Sequence, residues 1–155
     1  MNKGEHIKII CKNRKAFFNF EVEDTFEVGI SLMGSEVKSL REGRANLSDS
    51  YGKIRNGEVY LVDCHISPYV QANRENHEPL RERKLLLHKR EIKKLTGKVA
   101  ERGYSLIPLR MYFKNGKVKV EMGLARGKKN YDKRETIKKK DQRRELERMM
   151  KFKQR

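Results

Sequence analysis

The residues of this chain that offer chemistry are chiefly cations, and they come in clusters. Arg14 and Lys15 follow Asn13, and Lys38, Arg41 and Arg44 share one short stretch. Arg81, Arg83 and Lys84 lie close together, and Lys117, Lys119, Arg126, Lys128 and Lys129 lead into the C-terminal segment. Guanidinium and ammonium groups at this density suit phosphate, because each contact releases counterions condensed on a polyanion. The chain carries 38 Lys/Arg against 21 Asp/Glu, a formal net charge of +17. That balance points to nucleic acid. Solvated surface charge and attachment to an anionic membrane surface are the competing readings. Glu36, Glu42 and Glu82 dilute the clusters.

Other chemistry is poorly supplied. The sequence holds no GxSxG, HExxH, Walker or GxGxxG pattern. His6, His65, His77 and His88 fall in different predicted elements and read as surface or capping residues, so catalysis, including a two-histidine ribonuclease, is not expected. Cys11 and Cys64 lack a CxxC or zinc spacing and read as small buried hydrophobes, so neither metal nor cofactor is expected. Tyr51, Tyr69, Tyr112 and Phe113 are candidates either to stack on bases or to pack the core. No apolar run is long enough to span a membrane, and MNKGEHIKII has no signal-peptide apolar region, so a cytoplasmic location is expected.

The elements that must position these residues are mainly strands. Apolar residues alternate through Phe18, Phe20 and Val22, Asp24-Thr25 interrupts, and Phe26, Val28, Ile30 and Leu32 resume, which predicts one long curved strand with a bend or bulge permitted at Gly29. GSEVKSLREGR predicts a short helix capped by Ser35 and ended by Gly43. Asn56-Gly57 and Asn115-Gly116 each predict a hairpin. Residues 68–84 read as a long irregular loop, and Ile92, Leu95 and Val99 form a helical stripe closed by Gly103. The expectation is a mainly β fold: a closed antiparallel barrel of the oligonucleotide-binding type, about six strands, with two or three accessory helices. A two-sheet sandwich is the rival architecture.

The barrel domain is expected over residues 1–127, and residues 128–155 form a basic tail. That tail has thirteen Lys/Arg against five Asp/Glu and helix-favouring residues, but almost nothing to bury. Isolated helices of this kind are marginal in water, and the like charges of Lys138-Lys139-Lys140 weaken this one further. Phosphate-rich surroundings would remove that repulsion.

Three runs then carry a resemblance. GSEVKSLREGRANLSDSY (34–51), RERKLLLHKREI (81–92) and GLARGKKNYDKRETIK (123–138) closely resemble the bacterial SsrA-binding, or small protein B, family, in order and from end to end. The resemblance implies a six-stranded barrel that binds the tRNA-like domain of transfer-messenger RNA and delivers it to stalled ribosomes, with elongation factor Tu engaged indirectly through the charged RNA. It also implies a monomer whose tail is disordered when free and becomes helical in the empty mRNA path and decoding centre. The family's RNA contacts fall on Asn13, Glu27, Leu86 and Lys119. Strand alternation independently puts Glu27 and Lys119 outside the barrel, whereas Leu86 reads either as core or as an exposed contact. With these, Arg14, Lys15, Lys38, Arg41, Arg83, Lys84, Arg126, Lys128 and Lys129 make up the expected RNA-binding set. In the tail the family pattern falls on Gly127, Tyr131 (in place of a frequent histidine), Asp132, Lys133, Arg134, Met149 and Met150. A structural ribosomal protein, or a general RNA-binding barrel, is the alternative reading.

Overall fold

The computed structural model describes residues 6–72 and 76–153, the side chains of 101–102 and 130–132 excepted. Its strands are β1 (Ile7–Lys12), β2 (Phe20–Ile30), β3 (Ala45–Asn46), β4 (Tyr51–Arg55), β5 (Glu58–Val62), β6 (His65–Ile66), β7 (Arg83–Leu86), β8 (Ser105–Lys114) and β9 (Lys117–Gly127). The helices are α1 (Arg14–Asn19), α2 (Gly34–Arg41), α3 (Lys89–Arg102) and α4 (Asn130–Lys153), with one short 3-10 turn at Val70–Ala72.

Two Asn-Gly turns set the registers. Asn56 and Gly57 have φ of 52° and 73°, and Asn115 and Gly116 have 50° and 81°. These left-handed conformations match the twist of the flanking strands, and they pair Arg55 with Glu58 and Lys114 with Lys117. The sheet then closes on itself in the antiparallel order β8-β4-β5-β7-β2-β9-β8, the expected ring of six strands. The closing contact is narrow: β4 meets β8 through Gly52 opposite Leu106. β1 lies outside the ring, on the far half of the same β8 edge. Leu61, Leu85, Met111, Val120 and Met122 fill the interior, each at most 1 % exposed. Burying side chains of this kind contributes about 1.5–3 kcal/mol apiece.

Local structure departs from expectation in several places. The long strand starts at Phe20, not Phe18, because Asn13 caps a helical turn: its Oδ1 accepts from the Ala16 N–H at 3.2 Å. The irregularity in β2 lies between Val22 and Asp24, where the alternation is interrupted, and not at Gly29, which is in regular register with both neighbours. α2 starts after Met33, and Glu36 rather than Ser35 caps it, accepting from the Met33 N–H at 2.7 Å. Gly43 does end that helix region, with φ of 72°.

Residues 68–84, where described, form the irregular loop expected, apart from the 3-10 turn at Val70–Ala72 and the start of β7, but side-chain hydrogen bonds pin it. Asn76 holds both the N–H and the carbonyl of Tyr69, at 3.0 and 2.7 Å. His77 is buried rather than superficial, its Nδ1 against Ser35 Oγ and its Nε2 against the Ile66 carbonyl, each at 2.9 Å. Beyond it, Arg81 donates to Glu36 at 2.6 Å, and Arg83 joins Glu36 and donates to the Cys64 carbonyl at 2.7 Å. Burial pushes the Glu36 carboxyl up, but Arg81, the Met33 N–H and Arg83 outweigh it and hold the group below the usual carboxylate range.

Candidate nucleic-acid interface

One row of residues crosses the outside of the barrel. The registers set Leu86 on β7 opposite Gly29 on β2, and Gly29 opposite Lys119 on β9. Paired residues share a face, so Leu86 and Lys119 stand on either side of a position with no side chain. Glu27, two residues back on β2, is on that same face. A Cβ added at Gly29 would sit 3.3 Å from Leu86 Cβ, so a larger residue would crowd the groove. A cleft of about 450 Å³ results, bounded by Glu27, Gly29, Lys84, Leu86, Lys119 and, from the start of α3, Lys89. Leu86 is 54 % exposed, which places it at the surface and not in the core. An exposed leucine across the cleft from a carboxylate and an ammonium offers an apolar seat for a base or sugar, with an acceptor and a phosphate ligand nearby.

The carboxylate of that cleft is held in place. Tyr112 Oη donates to Glu27 Oε2, and Lys114 Nζ lies 3.3 Å from Oε1. The Tyr112 bond, assisted by Lys114 and Lys119 against the opposing effect of burial, keeps the Glu27 carboxyl below its ordinary range. Burial and that carboxylate push the Tyr112 phenol up, so it remains a neutral donor. A second trio repeats the pattern along the strands: Tyr104 Oη donates to Glu23 at 2.5 Å, and Arg126 pairs with Glu23 while stacking 4.8 Å from the Tyr104 ring. Sequence reading missed both trios, since the partners are separated by more than 80 positions. Only the β2–β9–β8 registers bring them together.

The other expected contacts divide. Asn13 is 1 % exposed, its amide donating to the Leu47 and Pro108 carbonyls at 3.1 and 2.8 Å. Arg83 is wholly buried against Glu36. Both expectations of direct contact are therefore corrected: these side chains are spent on internal hydrogen bonds and position the surfaces around them. Asn13 also borders a different cleft, of about 470 Å³, with Lys15, Asp49, Tyr51 and Tyr104. Arg14, Lys15, Lys38, Arg41, Lys84, Arg126 and Lys129 are exposed. Of these, Lys15 lies 3.9 Å from Asp49 and Lys84 3.4 Å from Glu58. Lys38 sits 5.6 Å over the Tyr69 ring. Tyr112 is buried and cannot stack on a base, and Phe113 packs on the core, whereas Tyr51 is exposed.

Lys128 ties the tail to the barrel, its Nζ donating to the Phe17 carbonyl and to Thr136 Oγ1, each at 2.9 Å. Gly127 still pairs with Phe20 at the end of β9. The Tyr131 and Asp132 side chains lie outside the described residues. Lys133 is half-buried and Arg134 exposed. Further along α4, Met149 and Met150 are 58 % and 66 % exposed, an unburied apolar pair. Burial pushes the Cys11 and Cys64 thiols up to about 11 and about 12, so both stay protonated and inert.

Comparison with known proteins agrees with this geometry. Residues 10–152 match the family model described as SmpB protein. The chain is 63 % identical over 139 residues to the SsrA-binding protein of Geobacter sulfurreducens, covering 90 % of this chain and 91 % of that one. It is 56 % identical over 148 residues to the SsrA-binding protein of Bacillus subtilis, covering 96 % and 94 %. Among solved structures, a chain described under "tmRNA-SmpB: a journey to the center of the bacterial ribosome" superposes with a TM-score of 0.65 at 46 % identity, covering 77 % of this chain and 85 % of that one.

Proposed function

The chain belongs to the SmpB protein family, and from that membership and the geometry above we propose that it binds transfer-messenger RNA and delivers it to stalled ribosomes. The barrel, of the oligonucleotide-binding type, acts as the RNA-binding domain through residue 127. It works in the cytoplasm as a monomer and without catalysis: it recognises the tRNA-like part of the RNA, and elongation factor Tu joins indirectly through the charged RNA. The observation that carries this reading is the outward row of Leu86, Gly29 and Lys119 beside the anchored Glu27, a cleft on a strongly basic barrel. Lys84 supplies a phosphate contact at its edge, and Arg14, Lys15, Lys38, Arg41, Arg126 and Lys129 supply others elsewhere on the surface.

Residues 128–155 serve the ribosome. Ile137, Leu146, Met149, Met150 and Phe152 are all exposed on α4, so little packing supports that helix on the free protein. It folds stably when phosphates in the empty mRNA path offset its charge. Tyr131, Asp132, Lys133 and Arg134 then lie at the decoding centre, and Met149 with Met150 makes the apolar contact further along the path. No described helix is long and apolar enough to cross a membrane. Cutting the chain after Lys129 is the test. The truncated protein should bind tRNA-like RNA with full affinity and fail in a reconstituted rescue assay; equal loss of both would overturn the division of labour.

A further inference from the structure

Helix α3 carries a feature that its own fold does not require. Its inner face buries Ile92 and Leu95, and its outer face presents Arg90, Lys93 and Lys94, all exposed. Gly97 lies three, four and seven residues beyond them, which places it on the same face. An interior helical glycine weakens a helix relative to alanine. Yet a Cβ built at Gly97 meets nothing within 4 Å, and the position has no left-handed φ, so no neighbour or turn explains it. A bare helical backbone within a cationic face lets a partner's chain approach closely.

The cations there differ from five of those on the barrel strands. Arg55, Lys84, Arg110, Lys114 and Arg126 each face a carboxylate within 4.0 Å. Among the described residues none of Arg90, Lys93 and Lys94 forms an ion pair. Their charge is therefore available to an outside anion. The face also continues the cleft already described, since Lys89 at its first turn borders the groove with Leu86 and Lys119.

We propose that this face of α3, with Arg90, Lys93 and Lys94 around the bare backbone at Gly97, seats the sugar–phosphate backbone of a double-helical RNA. The inference rests on the RNA-binding reading and extends it to a second, rigid contact. A duplex is favoured because α3 contains no aromatic residue on which unpaired bases could stack, whereas a straight run of charge suits the regular phosphates of a stem.

The test uses the full chain, with a fully paired RNA hairpin and an unpaired RNA of equal length as probes, followed by fluorescence anisotropy over a salt series. Gly97→Ala should raise the thermal midpoint and weaken hairpin binding about tenfold. The combined variant Arg90→Gln, Lys93→Gln, Lys94→Gln should lower the slope of log affinity against log salt by about 2–3, near one per phosphate contact. Unchanged hairpin affinity in Gly97→Ala, or losses equal on the two probes, would overturn the proposal. If the unaltered protein bound neither RNA, the functional reading would itself fall and take this inference with it.

Discussion

Arg83 and Glu36 form an ion pair in which neither side chain is exposed to solvent. The pair links α2 to the start of β7, and Arg83 also holds the β5–β6 connection through the Cys64 carbonyl and the segment leading into β7 through the Pro79 carbonyl. Since β7 carries Leu86, this interior bond sets the height of one wall of the cleft. Breaking a buried pair leaves an uncompensated charge, so Glu36→Gln, which strands the buried Arg83, should cost about 3–5 kcal/mol in urea unfolding, and Arg83→Met, which leaves Glu36 paired with Arg81, should cost less. Recovery of much of that loss in the Glu36→Leu, Arg83→Met double variant would identify the unpaired charge as its cause.

The same carboxyl gives the stability a pH dependence. Glu36 is held below its ordinary value of 4.5 in the folded protein, so the unfolded chain binds the proton more readily. Its contribution is fully present above that value and is lost as pH falls through the lower, folded value. Unfolding midpoints measured from pH 6 to pH 3 should therefore decline less steeply in Glu36→Gln than in the unaltered protein.

Periodicity and turn chemistry made the barrel legible, because Asn-Gly turns and alternating apolar residues act locally. Long-range polar pairing did not show. Arg83 sits in a run of cations that reads as surface, and only its buried partner 47 positions away reverses that reading. Asn13 likewise reads as part of a basic patch, when its amide is a brace between the Leu47 and Pro108 carbonyls. Leu86 could not be decided from alternation, since β7 spans only Arg83–Leu86 and Leu86 sits between Leu85 and Leu87. Pairing with Gly29 settles its face.

Closure of the ring rests on one glycine. A Cβ at Gly52 would lie 2.8 Å from Leu106 Cβ and 3.1 Å from Met122 Cε. The first of these atoms is fixed to the backbone, so it cannot swing away as the end of a flexible chain would. Gly52→Ala should destabilise the barrel by about 1–3 kcal/mol, the range for overpacking. Leu106→Ala leaves Cβ in place and so should not restore it. Thermal unfolding of the two single variants and the double would check both statements.

Glu27 and Tyr112 tie the barrel wall to the chemistry of the cleft. The phenol donates to the carboxylate and, with Lys114, keeps it ionised and aimed outward. An ionised group near RNA phosphates would by itself oppose binding, so its value lies in accepting hydrogen bonds from base amines or 2′-hydroxyls. Glu27→Gln should accordingly weaken binding of tRNA-like RNA while leaving the salt slope unchanged, because no phosphate contact is lost. Tyr112→Phe removes the donor that favours the charged form, so the Glu27 carboxyl should rise toward its ordinary value. RNA affinity measured from pH 7 to pH 4 should then begin to fall at a higher pH in Tyr112→Phe than in the unaltered protein. Coincident pH profiles would show that the phenol braces the strand without tuning the carboxylate.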